Sequence, residues 1–171
     1  ASDVYKRQDR LGSLPLPGLG TITGLAGRFV EPAVFLGYQS FVEPPTVLRA
    51  QDGVTEVWAG SKPPIDPSDL VVERMHAVST DGAEVGMFVV RRADAELPGP
   101  VELYGYGGFT INLTPTYSPA RLAFLEAGGI VVVANLRGGS EHGEPWHEQG
   151  SLGNKQQLSL IHISEPTRPI R

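Results

Sequence analysis

The sequence contains no cysteine. Disulfide scaffolds, thiolate zinc sites and cysteine nucleophiles are therefore excluded. It has no run of about 18 apolar residues, so no ordinary transmembrane helix is encoded. Basic residues are in deficit: 14 Lys+Arg stand against 19 Asp+Glu, for a formal net charge of −5. That balance offers no electrostatic case for nucleic acid or an anionic membrane. No repeat of fixed period is found, which leaves a solenoid unsupported. The serine elbow Gly-x-Ser-x-Gly is absent as well. Its nearest approach, Gly138-Gly139-Ser140-Glu141-His142, fails at the fifth position. What is abundant is turn-forming sequence. Gly (21) and Pro (15) together exceed a fifth of the 171 residues, where about 12% is average. With 40% hydrophobic residues the chain can still bury a core, so global disorder is not expected.

The two ends read differently from the middle. Neither residues 1–8 nor residues 157–171 carry a helical or strand period, and there is no initiating Met. The C-terminal Ser159-Leu160-Ile161-His162-Ile163-Ser164-Glu165-Pro166-Thr167-Arg168-Pro169 resembles translated sequencing-adapter read-through. Asp3-Val4-Tyr5-Lys6-Arg7-Gln8 does so more weakly. The alternative is a natural polar tail. Both ends are expected to be foreign and are set aside from fold reasoning.

The middle divides into three stretches, 9–52, 53–69 and 70–156. Over 9–52, short β-type runs at Gly20–Gly24, Ala33–Tyr38 and Thr46–Arg49 are broken by Gly and Pro. Short strands with close turn signals predict an antiparallel β unit. Residues 60–69 (GSKPPIDPSD) are rich in Pro and Asp and read as a connector. Beyond it, strands are predicted at Leu70–Ser79 and Val85–Arg92, joined through Asp81-Gly82, a strong hairpin signal. A strand at Val101–Tyr104 follows Pro100. Ser118-Pro119 then opens a helix, with Ser as the cap and Pro in the first turn, and Gly128-Gly129 stops it. The run Ile130-Val131-Val132-Val133-Ala134 has the β-branched character of a strand buried on both faces. Strand, helix and buried strand make a βαβ unit, which predicts a parallel sheet flanked by helices. With no further neighbour in the sequence, Ile130–Ala134 is expected to present an apolar edge.

Two loops follow these strands, at the edge where open parallel sheets bind ligands. The first is Tyr104-Gly105-Tyr106-Gly107-Gly108-Phe109. A phenol O–H placed there can stabilise a developing oxyanion; the plain alternative is a tight turn with packed tyrosines. Gly105-x-Gly107-Gly108 lacks the spacing of a phosphate cradle. The second loop is Arg137-Gly138-Gly139-Ser140-Glu141-His142-Gly143-Glu144. His142 and His147, with Glu141, Glu144 and Glu148 nearby, raise a metal site against a solvated polar loop. Gly143 and Pro145 argue against a helix there. Asn112-Leu113-Thr114 fits a glycosylation sequon, weakly. His76 reads as a packed or edge histidine within its strand.

Taken together, LYGYGGF at 103–109, TPTYSPARL at 114–122, ANLRGGSEHGEPWHEQG at 134–150 and Asn154-Lys155-Gln156 closely resemble the prolyl oligopeptidase family of serine peptidases. The upstream Tyr38-Gln39-Ser40-Phe41-Val42-Glu43-Pro44-Pro45-Thr46 resembles the end of that family's β-propeller. The resemblance implies an α/β fold. Residues 9–52 would end the propeller, 53–69 would connect, and 70–156 would begin the α/β-hydrolase domain. It implies cleavage of short peptides after proline by a Ser-Asp-His triad, without metal or organic cofactor, and without nucleic acid or membrane partners. It favours a cytoplasmic setting over a periplasmic or secreted one. Tyr106 would donate to the oxyanion and Phe109 would line the proline pocket. Tyr104 is expected to project to the opposite face from Tyr106. The triad residues would lie beyond residue 156, so this polypeptide alone is expected to be inactive. The same residues leave open another α/β-hydrolase peptidase or esterase, or a non-catalytic peptide-binding protein.

Overall fold

The computed structural model describes residues 12–79 and 81–154. The two ends read as foreign, 1–8 and 157–171, lie outside the described residues. The described chain forms two four-stranded sheets.

The first sheet runs in chain order through β1 (Gly20–Gly27), β2 (Val34–Ser40), β3 (Thr46–Gln51) and β4 (Val54–Gly60), all antiparallel. Strand alternation places Leu36 and Tyr38 of β2 beside Leu48 and Ala50 of β3, and these four form its buried core. β4 lies in the stretch expected to be connector. It pairs with β3 from Gln51↔Val54 to Thr46↔Gly60, so the boundary drawn at 52/53 cuts through a hairpin. The turn is Asp52-Gly53, both residues at positive φ (53° and 78°). Two consecutive left-handed residues are what a tight hairpin turn of matching twist requires. Residues 61–69 carry no strand and end in a 3-10 turn at Pro67–Asp69, where the Ser68 N–H donates to Asp66.

The second sheet contains β5 (Leu70–Val78), β6 (Glu84–Arg92), β7 (Val101–Tyr106) and β8 (Ile130–Asn135), in the order β5-β6-β8-β7. The β5–β6 hairpin closes at Asp81-Gly82 as predicted, in register from Leu70↔Arg92 to Val78↔Glu84. The helix α1 (Pro119–Glu126) joins β7 to β8, which run parallel. Ser118 caps it by accepting from the Arg121 N–H at 3.4 Å, and Gly128 (φ +85°) turns the chain out of it. The predicted βαβ unit is present, but the sheet is mixed rather than parallel, because β6 pairs antiparallel to β8. The reason is the hairpin: β5 and β6 arrive together as an antiparallel pair, and β8 joins β7 through the crossover helix α1.

β8 is buried on both faces along almost its whole length, which accounts for its unbroken β-branched run. It is an interior strand, flanked by β6 and β7. The expected apolar edge therefore falls instead on β7, where Val101 and Leu103 are exposed. One face of the sheet packs Val131, Val133, Phe88 and Val90 against Leu122 and Leu125 of α1. Phe41 and Val42, just after β2, join the same core, with the Phe41 and Phe88 rings 5.3 Å apart. The other face carries a smaller cluster of Val85, Ala134, Leu136 and Trp146. Trp146 belongs to α2 (Glu144–Glu148). The helix forms although none was expected there, because Pro145 falls in its first turn, where a missing N–H costs nothing. Its indole N–H donates to the Leu136 carbonyl at 3.2 Å. Among the described residues, no helix is long and apolar enough to cross a membrane.

Candidate functional site

Tyr106 is the last residue of β7 and stands opposite Asn135, the last of β8. Both loops singled out in the sequence thus leave the same end of a parallel pair. Tyr106 is half-buried, and a Cβ built on Gly108 would lie 3.5 Å from its hydroxyl, so the phenol folds over the glycines that follow it. Tyr104 does not face the other way. Residues two apart on a strand share a face, and Tyr104 lies beneath the Arg121 guanidinium, 5.1 Å from the ring centre. Arg121 is also held by Glu102 at 3.0 Å. Glu102, Tyr104 and Tyr106 therefore line the α1 side of β7 in a row.

Beyond Tyr106 the backbone is unusual. Phe109 (φ 52°) and Thr110 (φ 58°) are both left-handed without being glycine. Such residues cost about 1–3 kcal/mol each and persist where surrounding structure fixes them. The Ile111 N–H closes a turn onto the Gly108 carbonyl at 3.0 Å. The Phe109 side chain is 80% exposed. Gly107, Gly108, Phe109 and Thr110 form one wall of a cavity of about 360 Å³, completed by Gly138, His147 and Gly150–Leu152. The approach of the two loops depends on Gly138: at φ +96°, a Cβ there would sit 2.6 Å from the Gly107 carbonyl oxygen.

The second loop is anchored from beneath. Arg137 is buried, and its guanidinium pairs with Asp81 and donates to Ser79 Oγ at 3.3 Å. This ties the β5–β6 turn to the end of β8. The hydrogen bond from Arg137 holds the Asp81 carboxyl down at about 2. His147 Nδ1 lies 2.8 Å from the Gly138 carbonyl, and His142 stacks edge-on against Trp146. The two histidines raised for a metal are thus engaged separately. Among the described residues no group of three or more His, Asp or Glu is arranged to hold an ion. The Asn112 amide oxygen of the sequon accepts from both Ser140 N and Ser140 Oγ, at 2.8 and 2.9 Å. His76 is exposed on the edge strand β5. A polar network that sequence reasoning passed over links the loops: Glu141 Oε1 accepts from Leu113 N–H and from the Asn135 amide, each at 3.1 Å.

Both loops lie at the C-terminal end of the parallel β7–β8 pair, the edge at which open α/β sheets bind ligands. Residues 115–159 match the prolyl oligopeptidase family. The chain is 33% identical to the prolyl endopeptidase of Elizabethkingia miricola over 166 residues, covering 92% of this chain and 24% of that one. It is 37% identical to a prolyl oligopeptidase of Omphalotus olearius over 142 residues, 78% of this chain and 19% of the relative. Among solved structures, one from a study of two prolyl endopeptidases and their inter-domain dynamics superposes with a TM-score of 0.76 at 38% identity. It covers 85% of this chain and 22% of its own. The unliganded prolyl oligopeptidase B of Galerina marginata gives 0.75 at 30%, covering 86% and 22%. The chain belongs to the prolyl oligopeptidase family. It spans about a quarter of the length of the curated relatives it matches.

Proposed function

We propose that this chain is a segment of a serine peptidase that cleaves short peptides on the carboxyl side of proline. In this reading β1–β4 end a propeller, the stretch up to about residue 69 connects, and β5–β8 with α1 begin an α/β-hydrolase domain. Tyr106 donates its hydroxyl to the oxyanion of the tetrahedral intermediate, and Phe109 lines the pocket for the proline ring. The serine, histidine and aspartate are supplied by sequence outside this chain, so the chain alone turns over no substrate. The activity of its named relatives supports the reading. One observation carries it: a half-buried phenol at the C-terminal end of a strand, beside a glycine loop that walls a cavity.

Chemically, the phenol is suited to the task. Acyl transfer places a negative charge on the former carbonyl oxygen, and a fixed neutral donor stabilises it without needing its own proton to leave. The test is made in the complete enzyme with a blocked Gly-Pro reporter amide. Tyr106→Phe keeps the ring and removes only the donor. Loss of one such donor lowers kcat by about 10²–10³, with KM little changed because the bond is made mainly in the transition state. Tyr104→Phe should do much less, since that ring is engaged by Arg121. Phe109→Ala should raise KM for proline substrates. Equal, small effects of the two tyrosine changes would make the loop structural. Cleavage indifferent to the proline would favour a broader peptidase or an esterase.

A further inference from the structure

We infer that Glu141 is a positioning residue, clamping the Phe109 loop to the end of β8 so that the cavity wall keeps its shape; the inference rests on the function proposed for that loop. Four observations meet here. The loop has two adjacent left-handed non-glycine residues, Phe109 and Thr110, a conformation that relaxes unless it is held. The holding bonds come almost wholly from one short stretch. Ser140 Oγ reaches the Thr110 carbonyl at 3.0 Å, Ser140 N and Oγ reach Asn112 Oδ1, and Glu141 Oε1 takes the Leu113 N–H. Glu141 also accepts from Asn135, whose amide donates to the Leu113 carbonyl at 2.8 Å. Asn135 is the register partner of Tyr106. The carboxylate therefore connects the loop that carries Phe109 to the strand position that faces Tyr106.

The two oxygens of Glu141 behave differently. Oε1 does all the accepting, whereas Oε2 is buried without a partner. A Cβ built on Gly139 would come within 3 Å of that carboxylate, crowding it. The clamp thus needs one oxygen acceptor in a fixed place and a bare Gly139 beside it. It does not need the second oxygen or the charge.

That asymmetry supplies the test, made on the complete enzyme with two readouts. In Glu141→Ala, exchange of the Leu113 amide should accelerate by about tenfold, the equivalent of one lost hydrogen bond. KM for a blocked Gly-Pro reporter amide should rise by about tenfold while kcat moves little, the signature of lost ground-state placement. Glu141→Gln retains the acceptor and should restore both readouts to near wild type. Gly139→Ala leaves the carboxylate but displaces it, and should reproduce the Glu141→Ala pattern. A merely structural role would lower the active fraction, cutting apparent kcat with KM unchanged, and would overturn the proposal. So would a Glu141→Gln enzyme as impaired as Glu141→Ala, or Leu113 exchange that ignores all three changes. If the unmodified enzyme shows no preference for proline, the proposed function fails, while the exchange measurement still decides the clamp.

Discussion

Each of the two sheets has four strands, yet they bury their residues to different depths. The first sheet buries four apolar side chains, Leu36, Tyr38, Leu48 and Ala50, on one face. Its edge strands β1 and β4 are exposed along most of their length. In the second sheet, β8 is covered on both sides, and Leu70, Phe88, Val90, Val131 and Val133 form one core with Leu122 and Leu125 of α1 and with Phe41, Val42 and Ile65 from the preceding chain. The contrast shows where precision resides. Both loops of the candidate site spring from β7 and β8, and the end of β8 is fixed from two directions by Arg137 and Trp146. The first sheet contributes contact rather than chemistry: Thr21 Oγ1 donates to the Pro115 carbonyl at 2.7 Å, and Gln39 accepts from the Tyr117 N–H. It steadies the far end of the Phe109 loop from outside.

The largest expected effect tests that difference in burial. Leu122 and Leu48 are both 1% exposed, but Leu122 packs inside the large core and Leu48 inside a thin one. Buried Leu→Ala changes cost about 2–5 kcal/mol, with the spread set by how far the site can collapse. Leu122→Ala should fall in the upper half of that range. Leu48→Ala should fall near its lower end, because neighbours with one open face can relax into the gap. The chain carries a natural reporter in each region, Trp58 in β4 and Trp146 in α2. With one tryptophan replaced at a time, urea unfolding followed by fluorescence reads the two regions separately. Equal losses at the two leucines would remove the distinction drawn between the sheets.

Much of the second region is legible in the sequence because its signals are local or continuous. Ser118-Pro119 specifies a helix start by capping chemistry, and Ile130–Ala134 specifies a doubly buried strand by composition alone. β4 escapes the same reading although Asp52-Gly53 precedes it, the dipeptide that marks the β5–β6 hairpin at Asp81-Gly82. Its strand, Val54–Gly60, is mostly exposed, so no apolar face announces it. The mixed sheet is not legible either, since pairing of β6 with β8 joins residues more than forty positions apart, with β7 and α1 between them. Tyr106 and Phe109 can be singled out in the sequence as residue types at the end of a predicted strand, but the left-handed backbone at Phe109 cannot. Glu141 is not legible, because a carboxylate in a polar loop looks solvated until the fold brings Leu113 and Asn135 to it.

A second way to sharpen the comparison is pH. The Asp81 carboxyl, pulled down to about 2 by Arg137, anchors the second region only. In the unfolded chain an aspartate titrates near 3.9. A depressed folded value means that ionised Asp81 favours the folded state above about pH 4, and that this contribution fades as pH falls through about 2. Acid should therefore loosen the region reported by Trp146 before that reported by Trp58. Asp81→Asn should flatten the acid dependence of the Trp146 signal and lower stability at neutral pH, because the buried guanidinium loses its countercharge. An unchanged acid profile would place the anchor elsewhere.

The smallest expected effect lies in the first sheet. Arg49 and Glu56 face each other across β3 and β4, with Arg49 Nη1 2.9 Å from Glu56 Oε1 and the glutamate side chain 57% exposed. The geometry is good, and the guanidinium also lies 5.9 Å from the Trp58 ring centre. Exposure still decides the magnitude. Water screens the attraction, and ordering two long side chains offsets part of it, so such pairs contribute about 0.2–1 kcal/mol. Glu56→Gln should cost no more than that in the Trp58-reported transition, and the cost should shrink further in high salt. Arg137 offers the opposite case, a side chain only 3% exposed, where the same loss of a carboxylate partner is felt through desolvation rather than through the pair itself. If Glu56→Gln proved as damaging as Asp81→Asn, burial would not be what separates the two ion pairs, and the cross-strand ladder of the thin sheet would matter more than its core.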